Sequence, residues 1–273
     1  MNLNPFKPSK WKAPNAVHQA AYDGELDKVP SHRLVPDDLR LTAAIAAGYS
    51  STVYHIAASR GHLGQLPSKL LTSEILALRS SGRSVAHMAA ESGQFSKLPL
   101  DLLNGTHLVD KVDSVSLLHV LCKSGEVSVV PEKLLKARFF RLQDSLGDTP
   151  LHYGARFGKL GSILSINWAS AQMEEILAER NLRGETPLHA AVRAGEFDKV
   201  PVTAMTPALL ALKSTDGETV LAAVLKSGQW EVIPEKVLSG CVVEVHQLEK
   251  AGFKVPENLR RIIPPEVVDP FDL

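Results

Sequence analysis

Ten histidines stand in this 273-residue chain, and six of them share one recurring position: His18, His55, His87, His119, His152 and His189. Imidazole is the residue type of choice for a general base or a metal ligand. Each of the six lies six residues before a glycine, at Gly24, Gly61, Gly93, Gly125, Gly158 and Gly195. A seventh glycine, Gly228, has Ala222 there instead. Zinc–nitrogen bonds are about 2.1 Å long, so ligands must converge on one point. Histidines carried on successive packed helices about 10 Å apart do not converge. Their regular recurrence therefore indicates a structural role. His32, His107 and His246 are singletons with no partner motif, and His62 follows a glycine directly.

The elements that hold these histidines are legible from their neighbours. The glycines recur about every 33 residues, the mark of a stacked-repeat array. Nine residues before each glycine is a helix-capping residue: Asn15, Thr52, Ser84, Ser116, Thr149, Thr186 or Thr219. Such side chains accept hydrogen bonds from the open amides of a helix's first turn. Pro150 and Pro187 follow two of the caps, where a missing N–H costs nothing. Small or apolar pairs such as Ala57–Ala58 and Ala89–Ala90 come next, and the glycine closes the helix in a left-handed conformation. Two residues later the chain is apolar in all seven repeats: Leu26, Leu63, Phe95, Val127, Leu160, Phe197 and Trp230. That pattern predicts a second, buried helix.

These features together resemble the ankyrin repeat. Thr149-Pro150-Leu151-His152 and Thr186-Pro187-Leu188-His189 are similar to its signature, and Gly147-Asp148-Thr149, Gly184-Glu185-Thr186 and Gly217-Glu218-Thr219 to its turn. The resemblance spans roughly residues 13–240 and implies an all-α, ankyrin-type repeat solenoid of about seven helix-turn-helix units with irregular caps. It also implies that the shared histidine bonds to nearby backbone. One departure is systematic. Pro30, Pro67, Pro99, Pro131, Pro201 and Pro234 stand six residues after the glycine, with Leu164 in the fifth repeat instead. Proline inside a helix removes a hydrogen bond and clashes with the preceding turn. The second helix should therefore stop short, with a new turn at the proline from which Leu70–Leu71, Leu102–Leu103, Leu134–Leu135 and Val237–Leu238 pack. This pattern resembles a proline-containing ankyrin variant of bacterial arrays.

The remaining organisation is read as an irregular arm over residues 1–12, containing Trp11, and a degenerate cap and loose tail over 241–273 with Pro264, Pro265 and Pro270. Two repeats are longer. In the first, Leu39–Ala47 is expected to be a longer helix. In the second, the fifth, Trp168 is expected in the core and Met173–Arg180 as added helical turns. An array couples only neighbouring units. Hydrogen exchange is expected to show residues 158–185 less protected than 84–135, and equal protection would contradict that reading.

Thirty basic and thirty acidic residues give a formal net charge of zero. No bulk charge draws the chain to nucleic acid or membrane. Cys122 and Cys241 are read as reduced thiols, which suits a cytoplasmic setting, with delivery into a host cell left open. No phosphate loop, GxGxxG, HExxH, paired CxxC or GxSxG is present. Asp37–Asp38 and Glu174–Glu175 read as solvated surface. No catalytic, cofactor or metal site is therefore assigned, and no small-molecule substrate or membrane is expected.

The strongest binding signal is two residues before the glycine, where Lys123, Arg156, Arg193 and Lys226 succeed one another. In ankyrin repeats this position lies on the concave face. Ten residues before the glycine the late repeats carry Asp148, Glu185 and Glu218, and Phe157 adjoins Arg156. A basic row beside an acidic row fits a groove for an unidentified protein with complementary charges. The leading expectation is a non-catalytic protein-interaction module using the concave face and turn tips. The alternative is polyanion or nucleic-acid binding through the basic ladder, against which the balanced charge counts. An enzyme built on His152 is the remaining reading.

Overall fold

A computed structural model describes residues 16–40, 43–46, 49–166 and 168–263. The arm over 1–12, the cap at Asn15 and the tail with Pro264, Pro265 and Pro270 lie outside the described residues. The chain is mostly helical and divides into two compact units, Met1–Leu142 and Gln143–Leu273.

In the first unit, helices α1 (Ala16–Asp23), α2 (Val53–Arg60), α3 (Val85–Glu91) and α4 (Leu117–Ser124) pack one on the next. In the second, α5 (Pro150–Arg156), α6 (Pro187–Ala194), α7 (Val220–Ser227) and α8 (Val242–Lys250) do the same. Small buried residues such as Ala57, Ala89 and Ala191 allow the close approach. The described caps form as the spacing predicts. The Thr52, Ser84 and Thr219 side chains accept from the third amide of their helices, and Ser116, Thr149 and Thr186 form capping boxes. All seven glycines are left-handed, with φ between +65° and +84°.

After each glycine the chain makes only a single 3-10 turn where proline follows. Leu63–Gln65, Phe95–Lys97 and Phe197–Lys199 are examples, and a new turn starts directly past Pro67, Pro99 and Pro201. In the fifth repeat, where Leu164 replaces proline, an α-helix, Leu160–Leu164, forms instead and includes that position as its last residue. The proline is thus what shortens the second helix. Leu103, Leu135 and Leu238 are buried from the new turn, while Leu70, Leu71, Leu102, Leu134 and Val237 are half-buried.

Three expectations need correction. Leu39–Ala47 is not a longer helix. Helix ends at Arg40, and Ala43–Ala46 pairs antiparallel with Tyr49–Ser51; Ala47 lies outside the described residues. The two later repeats of this unit place similar, shorter hairpins before their caps, Arg79–Ser80 with Arg83–Ser84 and Lys111–Val112 with Val115–Ser116. The paired strands before Thr52 are four and three residues long, against two and two in each later hairpin. Trp168 is half-buried rather than in the core, with its indole donating to the Ile163 carbonyl at 3.3 Å. Ile176 and Leu177, on the helix Ser170–Leu177, are fully buried instead. Trp230 is likewise only half-buried.

Candidate binding surface

His55, His152 and His189 have both ring nitrogens engaged by the scaffold, while His87 Nε2 is buried without a hydrogen-bond partner. In α5, His152 Nδ1 accepts from the Thr149 amide at 3.1 Å, and Nε2 lies 2.9 Å from the Glu185 carbonyl in the next turn. His189 repeats this with Thr186 and the Glu218 carbonyl, and His55 reaches the Arg83 carbonyl at 3.1 Å. An acceptor at Nδ1 and a donor at Nε2 require the neutral ring. Burial disfavours the charged form and lowers the pKa of all three. His152 is fully buried and leaves neither nitrogen for a substrate. His107, a singleton by sequence, does the same work in the short helix Gly105–Val109: it boxes with Asn104 and lies 2.9 Å from the Ser73 carbonyl. The Asn104-to-His107 spacing, equal to Thr149-to-His152, was the signal for it.

The turn tips of the second unit are built on Asp144, Asn181 and Ser214. Asp144 Oδ1 accepts from the amides of Leu146 and Asp148, and Asn181 Oδ1 from those of Arg183 and Glu185. These are side-chain-stabilised turns of the Asx type. Successive tips are joined by backbone: the Leu182 amide donates to Leu146, and the Thr215 amide to Arg183, each at 3.0 Å. Leu146 and Leu182 project from neighbouring tips and are 62% and 74% exposed.

Behind the tips the two charged rows meet. Arg156 pairs with Asp148, Arg193 with Glu185, and Lys226 with Glu218 at 2.8 Å. In the first unit the same two positions carry the swapped pair Arg83–Glu91 at 3.0 Å. The pairing makes the rows internally complementary. It also corrects the acidic row as a surface feature, because the Asp148 and Glu185 side chains are only 1% and 5% exposed. Asn181 donates to Asp148 at 2.9 Å, which lets both acids sit beneath the surface. Burial alone would raise the Asp148 pKa, but hydrogen bonds from Arg156 and Asn181 and the guanidinium charge hold it below the ordinary value. Glu218 is half-buried, and Arg156, Arg193 and Lys226 remain exposed. Lys123 is an exposed residue of α4 in the first unit. Phe157 is 47% exposed at the end of α5. Arg156 stacks over Tyr153 at 5.7 Å.

What the surface offers is therefore leucine side chains and guanidinium groups held by buried carboxylates. A shallow groove of about 380 Å³ beside it is lined by His189, Val192, Arg193, Glu218 and Lys226. Sequence reasoning missed Leu146 and Leu182; two leucines inside otherwise polar glycine turns were the available hint.

Among the described residues no group of three or more His, Cys, Asp or Glu could hold a metal ion, and no helix is long and apolar enough to cross a membrane. Cys122 and Cys241 are free and buried, and burial pushes the Cys241 thiol up to about 11 and the Cys122 thiol further. Asp37–Asp38 and Glu174–Glu175 are exposed. No known family model matches this sequence, and no curated protein matches it.

Proposed function

We propose that this chain is an ankyrin-type repeat protein that binds another protein, non-catalytically, through the tips and exposed helix ends of its second unit. The observation that carries the reading is the pair Leu146 and Leu182, exposed side by side on hydrogen-bonded tips. Arginine is among the residue types enriched in interaction hot spots, and the exposed leucines add apolar area that a partner can bury. Arg156 and Arg193 are held by buried carboxylates, so little side-chain entropy remains to be lost when a partner arrives. A partner surface with apolar groups and carboxylates fits this chemistry. A cytoplasmic setting, in keeping with the two free thiols, belongs to the same proposal.

The test is affinity capture from a cell lysate with the wild type and a Leu146→Ser, Leu182→Ser double variant. Both side chains are exposed, so the variant keeps its fold. The expected result is one protein whose capture falls about thirtyfold, the loss of roughly 1 kcal/mol per contact. An unchanged set of captured proteins sinks the proposal. Charge reversal at Arg156 is a poor substitute, because it would set a second carboxylate against the buried Asp148. Capture of nucleic acid that disappears as salt is raised would point instead to the polyanion reading.

A further inference from the structure

The residue directly after the helix-ending glycine leans back over the preceding repeat. His62 Nδ1 lies 3.0 Å from the Ala21 carbonyl, across Gly24. Gln229 shows the full pattern. Its Oε1 accepts from the Phe197 amide at 3.2 Å, and its Nε2 donates to the Val192 carbonyl at 3.1 Å. The position thus asks one side chain to accept at one end and donate at the other. Glutamine does both.

Glu126 occupies this position after Gly125. Its Oε1 accepts from the Ser96 amide at 3.4 Å, one residue past Phe95, which holds the place that Phe197 holds for Gln229. Its Oε2 is buried without a hydrogen-bond partner, whereas the second polar atom of the Gln229 side chain, Nε2, is satisfied. The carbonyl equivalent to Val192 in the preceding repeat is that of Ala90. An ionised carboxylate has no hydrogen to give it. Glu196 stands at the same position but takes Lys199 as an ion partner, whereas the corresponding residue after Glu126 is Val129.

We infer that Glu126 is a proton-responsive joint between the third and fourth repeats. Protonated, its carboxyl supplies the missing donor and draws α4 onto α3. Ionised, it leaves a buried oxygen unpaired and the joint loosens. The charged and titratable groups on the elements packed against it do not neutralise it. On α3, Glu91 is committed to Arg83, and the buried His87 Nδ1 lies on the Ser84 hydroxyl. On the Phe95–Lys97 turn, Lys97 is exposed; on α4, Lys123 is exposed and His119 is held by Ser116. Burial raises the Glu126 pKa, opposed in part by hydrogen bonds from Ser96, Phe95 and Ser124. A carboxyl whose folded pKa exceeds its unfolded value weakens the fold at neutral pH, and the penalty fades on acidification.

The test compares full-length wild type, Glu126→Gln and Gln229→Glu between pH 7.5 and pH 5, reading melting temperature and exchange of the Ser96 amide. Glu126→Gln should melt roughly 3 °C higher than wild type at pH 7.5, with slower Ser96 exchange and a gain that shrinks towards pH 5. Gln229→Glu should show the mirror image, a loss at pH 7.5 that recovers with acid. A Glu126→Gln variant no more stable than wild type at pH 7.5, or a gain equal at both pH values, overturns the proposal.

Discussion

Lowering the pH from 7 to 5 should cost this protein about 4 kcal/mol of stability through His55 and His87 alone. Both rings are buried, and burial lowers each pKa from 6.5 to about 4. Around His87, the Asp110 carboxylate works against burial without cancelling it. The folded state therefore refuses a proton that the unfolded chain accepts. Such a group contributes its full stability above pH 6.5, and the contribution is lost as pH falls towards 4. At pH 5 each site costs about 2 kcal/mol. His152 and His189, whose pKa values burial also lowers, add to the loss. Geometry supplies the reason: Nδ1 must remain an acceptor for the cap. A urea titration at successive pH values measures the effect, and equal midpoints at pH 7 and pH 5 would contradict it. The α7 helix offers an internal control. Ala222 replaces the histidine there, and the Thr219 hydroxyl alone caps the turn at 3.0 Å. No histidine penalty attaches to that cap.

Gly184→Ala should destabilise the second unit by about 3 kcal/mol, seen as a melting temperature lower by roughly 10 °C. Two effects add. Gly184 has φ +67°, where an L side chain is strained. A Cβ there would also lie 2.7 Å from the Thr215 amide nitrogen, the atom that joins one tip to the next. Backbone in a hydrogen-bonded ladder yields little. Gly217 separates the terms: its φ is +78°, yet nothing lies within 4 Å of an added Cβ. Gly217→Ala should cost only the strain, about 1 kcal/mol. Equal losses for the two variants would show that the close approach between tips contributes nothing.

The binding reading was only partly visible in the sequence. The rungs Arg156, Arg193 and Lys226 could be placed on one face because spacing sets which side of a helix a residue occupies. That Asp148 and Glu185 lie beneath those rungs could not be read, because it depends on Asn181, which stands 33 residues from Asp148 and reaches it only through the fold. Glu126 and Gln229 look alike as polar residues after a glycine. Only their neighbours distinguish a satisfied amide from a buried, unpaired carboxylate oxygen.

Local chemistry in the chain by itself determined where the capped helices begin, where glycine ends them and where proline cuts the second helix short. Caps, left-handed glycines and proline rings act within a few residues of themselves, so no distant partner is needed to read them. The Leu39–Ala47 stretch shows the limit, since alanines suit a helix until the hairpin before Thr52 claims them. Tertiary structure decided which charges are buried, which leucines stay exposed on the tips and which carboxyl lacks a donor. Burial and hydrogen-bond satisfaction belong to residues some thirty positions apart, and their energies exist only once the repeats are stacked.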